Sequence, residues 1–261
     1  MIVFKQELRQ SRTLLIVWTA VLTFMLGLCV VIYPELMAQM GKMEEMLAGM
    51  EDLSAAMGLT SQIFSDFTGY LAAEADSLLG LGGAFFAALL GAKALSREER
   101  GRTAEFLLTH PISRTRVAAE KLLAVVCQIF FLCAVTLGVS ALLGLAVGAK
   151  ADGKLLLLLF LAYFLLQLQI ALLSMALSTF SHGKGTGLGL GVAAIAYFLS
   201  ILAALAQQLR PLRYLTPFGY AQGTTIVSTG GIPLAPLASG MALTLLALVV
   251  LFWQYRRKDI S

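Results

Sequence analysis

"ALSREERGRTAEFLLTHPISRTRVAAEKLL", residues 94–123, is the most polar stretch of comparable length in the chain, and it stands between two apolar runs. It holds Arg97, Glu98, Glu99, Arg100, Arg102, Glu105, Arg114, Arg116, Glu120 and Lys121. Ser96-x-x-Glu99 fits a capping box, and Glu98 and Glu99 in the first turn complement the helix dipole. The pattern predicts a helix over 97–108. Glu98 and Arg102 form an i,i+4 pair of the better orientation on it. Pro111 ends that helix, because it lacks an N–H and disfavours helical geometry in His110. Ser113 is placed to cap a second helix that continues into the next apolar run. A charged helical hairpin between two greasy segments decides the fold class, because such segments are membrane spans when they are long enough.

They are long enough. The chain has 261 residues, 59% hydrophobic and 13% charged, with a mean hydropathy of +0.84. Soluble domains carry roughly 25% charged residues. Apolar runs of about 20 residues, which suffice to cross a bilayer, recur six times, near 13–33, 77–95, 117–147, 154–180, 185–206 and 234–255. The third and fourth exceed that length, so they tilt or project. The first is too long for the apolar core of a signal peptide and no cleavage motif follows Tyr33-Pro34, so it reads as a retained span. Cys29, Cys127 and Cys133 all lie in apolar runs; they show no metal spacing and read as buried packing residues. The expected fold is an all-α membrane protein of one domain, 1–261, with six transmembrane helices.

An even number of spans puts both termini on one side. Lys5, Arg9 and Arg12, then Lys93, Arg97, Arg100, Arg102, Arg114, Arg116 and Lys121, then Lys184, Arg256, Arg257 and Lys258 fall on that side. The opposite side receives Lys42, Lys150, Lys154, Arg210 and Arg213, with eight acids between Glu35 and Asp76. By the positive-inside rule the termini and the hairpin are cytoplasmic. The net charge of +4 reflects this topology, not nucleic-acid binding. Residues 1–12 mix Ile2, Val3, Phe4 and Leu8 with cations and read as an interfacial elbow helix. Residues 34–76 form an extracellular loop. Within it Met40, Met43, Leu47 and Met50 line one face of an amphipathic helix opposite Glu44, Glu45, Glu51 and Asp52. Thioethers suit Cu(I), but with no Cys or His in the set an apolar packing face is the plainer reading.

The hairpin sequence resembles the signature cytoplasmic loop of the ABC-2 transporter permease family, roughly E-x-x-x-G-T-x-E-x-L-L-x-x-P-[IV]-S-R followed by G-K-L. Glu98, Gly101, Thr103, Glu105, Leu107, Leu108, Pro111, Ile112, Ser113, Arg114 and Lys121 fall on that pattern. Arg102 interrupts it, and Glu120 stands where the family often has glycine. Residues 68–80, 212–223 and 255–261 resemble other parts of the family. The resemblance implies a permease subunit of an exporter in a prokaryotic plasma membrane, paired with a second identical or homologous permease and with two cytoplasmic ATPase subunits. Residues 96–116 then form the coupling hairpin on the ATPase. Its coupling residues are Glu98, Glu105, Phe106, Leu107, Pro111, Ile112, Ser113 and Arg114, the charges orienting the docking and the apolar side chains filling a groove. ATP and Mg belong to the partner subunit. A lipophilic drug, a peptide or a lipid suits the apolar spans as substrate.

This chain has no ATP site of its own. A P-loop requires G-x-x-x-x-G-K-[ST]. The nearest approach, at Gly183-Lys184, has Ser178 for the first glycine and Gly185 after the lysine. His110 and His182 lack the context of a metal or catalytic site, and no cofactor is expected. The middles of the six predicted spans hold no charge, which argues against ion-coupled transport. Gln128 and Gln167 are candidates for the substrate pathway. Gln167 and Gln169, two apart, cannot share a helix face and are expected to hydrogen-bond different neighbours. Gly183, Gly187 and Gly191 repeat every four residues, as do Gly144 and Gly148; packing within the subunit is favoured over dimer contact for the first set. Two rival functions remain from the residues alone: a scaffold recruiting another cytosolic protein, and an ATP-independent channel or scramblase.

Overall fold

The computed structural model describes residues 2–47, 66–100, 113–180, 185–205 and 207–257. Among them there are helices and turns and no strand. Six helical rods are long and apolar enough to cross a membrane, in agreement with the sequence reading. Helix α1 is Ile2–Leu47. The second rod is continuous helix made of α2 (Phe67–Ala75), a π-helical stretch (Asp76–Gly82) and α3 (Gly83–Arg100). Then come α4 (Arg114–Ala146), α5 (Gly153–Ser178) and α6 (Gly185–Leu205). Two 3-10 turns, Gln207–Tyr214 and Pro217–Gly219, and short helix α7 (Gly223–Thr229) lead to α8 (Leu234–Arg257). Alternation of the rods puts Ile2, Arg100, Arg114 and Arg257 at one end of the bundle. Residues 207–229, hereafter the cap, lie at the other.

Spans three to six fall within a few residues of their expected positions, but the first two differ. No break separates residues 2–12 from the first span, so the expected elbow is the opening turns of α1. The reason is a single buried stripe: Val3, Glu7 and Ser11 repeat every four residues and lead to Thr19, Leu22, Leu26 and Val30 further along. That stripe lies chiefly against α4, and nothing in 2–33 interrupts the helix. At 46 residues and about 1.5 Å per residue, α1 is about 69 Å long, more than twice a hydrocarbon core. It carries Pro34 inside, so the expected loop does not begin there. Helix includes the backbone of Met40, Met43 and Leu47; Met50 and the rest of the loop to Ser65 lie outside the described residues.

The second span begins at Phe67, ten residues before the sequence placed it. Phe67, Thr68, Tyr70, Leu71, Ala72 and Ala75 are all buried. Tyr33 meets the rings of Phe67 and Tyr70, each at 5.1 Å, and Tyr70 donates to the Cys29 carbonyl at 3.0 Å. Glu74 and Asp76, assigned to a loop by their charge, therefore sit on the rod. Its central location follows from small residues. A Cβ on Gly91 would collide with the Ala171 backbone of α5, and one on Gly189 of α6 would come within 2.8 Å of Ala88 O and the Ala92 Cβ. It is the most buried of the six rods.

Gly187 and Gly191, expected to pack inside the subunit, instead face open space; Gly183 is outside the described residues. The α6 face against the second span carries Gly189, Ala193 and Ala196. Gly144 does pack, against the Phe67 ring, and Gly148 with φ +77° ends α4. Ala149 N bonds Gly144 O and Gly148 N bonds Leu145 O, the paired bonds of a Schellman motif. Cys133 is buried and Cys29 half-buried, but Cys127 faces outward, contrary to its reading as a buried residue.

Candidate functional site

At the hairpin end, Ser113 caps α4 as expected, accepting from Arg116 N at 3.4 Å. Arg114 opens that helix. Glu98 lies on the last turns of α3, which runs unbroken to Arg100. Ser96-x-x-Glu99 therefore starts no new helix: such a motif caps only where the preceding chain leaves helical geometry, and residues 84–95 do not. Glu105, Phe106, Leu107, Pro111 and Ile112 lie outside the described residues.

What the structure adds is the base of the hairpin. Lys121 is fully buried on α4 and its Nζ donates to the carbonyl of Ala94 on α3. The same ammonium is 3.8 Å from the buried Glu7 carboxylate of α1. One side chain thus holds together the helices that enter and leave the hairpin and the start of the first span. Glu120 accepts from the first-turn amide of Phe4 at 3.2 Å and from Arg116 Nε at 3.2 Å. An acid at that helix N-terminus is favourable, so the residue that departs from the family pattern anchors α1. The signal for Lys121 was in the sequence: Val117, Ala118, Ala124 and Val125, three and four residues away on each side, are all apolar, so Lys121 lies on the inward stripe.

At the other end, Asp76 takes three donors. Oδ1 accepts from Gly223 N at 2.6 Å and Tyr163 Oη at 3.0 Å, and Oδ2 from Thr224 N at 3.3 Å. One turn along α5 from Tyr163, Gln167 Nε2 donates to Leu79 O within the π stretch at 3.0 Å. Gln169 Oε1 accepts from Tyr220 Oη at 3.0 Å; burial pushes the Tyr220 phenol up, so it stays a neutral donor. Gln167 and Gln169 do serve different neighbours. Gln128 donates to Ala124 O on its own helix. Both pathway candidates, Gln128 and Gln167, are buried inside the subunit and reach no open surface in this conformation. No group of three metal-binding side chains occurs among the described residues.

Six apolar rods among the described residues define a multi-pass α-helical membrane protein. A family model described as ABC-2 family transporter protein matches residues 1–260, and the chain belongs to that family. It is a membrane component of a transporter. A search of curated proteins gave no match.

Proposed function

We propose that the chain is the permease subunit of an ATP-driven ABC-2 exporter, coupled through residues 97–116 to separate ATPase subunits that bind ATP and Mg. The observation that carries this reading is the hairpin base. The most buried rod runs without a break into the hairpin, and Lys121 clamps both of its legs to each other and to α1. A push on the hairpin from the cytoplasm is thereby delivered to the centre of the bundle. Nothing in the chain supplies the P-loop that such a push requires, so the motor is another polypeptide.

A second permease, identical or homologous, completes the pathway. Helix α6 is the least buried rod, and its outward Gly187 and Gly191 offer a close-approach face to that partner. Exposed Leu188, Ile195 and Phe198 flank it. The substrate is a lipophilic drug, a peptide or a lipid, and the membrane is a prokaryotic plasma membrane.

The test is recovery of partners from the native membrane in mild detergent. The tagged chain should bring down a P-loop ATPase, and the variant carrying Phe106→Asp, Leu107→Asp and Ile112→Asp should insert normally without it. Glu105→Arg and Pro111→Ala should leave insertion intact while uncoupling hydrolysis from transport. Retention of the ATPase by the triple variant overturns the docking assignment. Absence of any ATPase in several detergents favours a scaffold or a channel.

A further inference from the structure

We propose that Asp76 is a positioning residue that fastens the cap to the second span, so that the cap follows this rod when the hairpin moves it. The movement rests on the permease reading; the fastening does not. The cap consists of two 3-10 turns and a seven-residue helix, too short to hold shape unaided. Beside its packing on them, its polar ties to α5 and α6 include Tyr220 to Gln169 and Thr216 Oγ1 to Ala196 O at 2.7 Å. Its polar tie to the second span, among the described residues, is Asp76. That carboxyl group takes the first two amides of α7, which a helix start leaves without intrahelical partners, and Tyr163 takes its remaining approach.

The contact is built closely. A Cβ on Gly223 would collide with Tyr163 Oη and come within 3.0 Å of Ala72 O and Leu159 Cδ2. The π stretch starts at Asp76 itself; such stretches are rare and concentrate at functional sites. It turns both Asp76 and the Leu79 carbonyl onto α5, where Tyr163 and Gln167 receive them one turn apart. The rod that begins at Phe67 thus packs against α7, with Ala72 O close to Gly223, and adds to that packing a polar tie through the Asp76 side chain.

Hydrogen exchange of the full-length chain in lipid nanodiscs tests the fastening. Asp76→Ala should speed exchange of the α7 amides by about ten- to hundredfold, since it removes the acceptor of the first two of them. Exchange over α5 and α8 should stay at the wild-type level, Tyr163→Phe should give a smaller effect, and Asp76→Glu should restore part of the protection. Unchanged α7 exchange overturns the proposal. So does a uniform rise along the chain, which would make Asp76 a general folding residue. In the complex with the ATPase, ATP and Mg should alter exchange in both the hairpin and the cap of the wild type. In Asp76→Ala the hairpin response should persist and the cap response disappear; loss of both, or retention of both, overturns the transmission. If no ATPase is recovered, the permease reading fails and the nanodisc result still decides the fastening.

Discussion

Lys121 shows how much one buried charge can organise. An ammonium with no exposed surface is tolerable only when its donors are met, and here a carbonyl and a carboxylate from two other helices meet them. Removing one member of such a pair leaves the other charged and dry, at a cost of about 3–5 kcal/mol. Lys121→Met should therefore lower the unfolding temperature in detergent sharply, as should Glu7→Leu. The double variant should recover part of the loss, because an apolar pair of similar volume has no stranded charge. A double variant that loses as much as the sum of the singles would show that the two groups act independently. Lys121 was legible as a charge and was counted on the cytoplasmic side by topology, while Glu7, within residues 1–12, was not singled out. Their burial follows from the helical stripes on which they sit, a signal the positive-inside count does not weigh.

Between helices, backbone approach is set by single glycines. Gly91 faces the Ala171 carbonyl, which belongs to a buried helix and cannot yield cheaply. Gly91→Ala should cost about 1–3 kcal/mol through overpacking. Gly138→Ala, with nothing within 4 Å of its Cβ, should be tolerated. Thermal unfolding followed by size exclusion separates the two outcomes, and equal melting temperatures would contradict the close α3–α5 contact. The same scale explains which elements could be read from the sequence. Spans three to six are apolar runs ended by local chemistry that sequence displays, such as Ser113, Asp152 and Gly148. The second span begins early because Glu74 and Asp76 find partners, Cys29 Sγ approaching Glu74 at 3.6 Å. Charge alone had marked them as loop. Ser96-x-x-Glu99 carried a capping pattern inside a helix that had no reason to stop. The cap's grip on Asp76 depends on pairs 147 residues apart, which no local pattern encodes.

Across the whole molecule, direction matters more than any contact. The end at which α3 finishes and α4 begins gathers the basic residues Lys5, Arg9, Arg12, Lys93, Arg114 and Arg116, while Glu74, Asp76 and the cap lie toward the opposite end. The second span joins the two ends through 34 helical positions, 67 to 100, or about 51 Å at 1.5 Å per residue. A motor that hydrolyses ATP works in the cytoplasm, so the hairpin end must face inward for coupling to occur. The loop charges predict that it does. In a background with Cys29, Cys127 and Cys133 replaced, Ser228→Cys on the exposed side of the cap should react with a membrane-impermeant maleimide in intact cells. Lys5→Cys should react only after the cells are opened. The reverse pattern would place the hairpin beyond the reach of any cytosolic ATPase and remove the coupling reading, yet leave Asp76 holding the cap. Labelling of both sites in intact cells would mean that the chain inserts in two orientations. The arginines that run against the charge trend, Arg210 and Arg213 in the cap, would then be the first residues to replace.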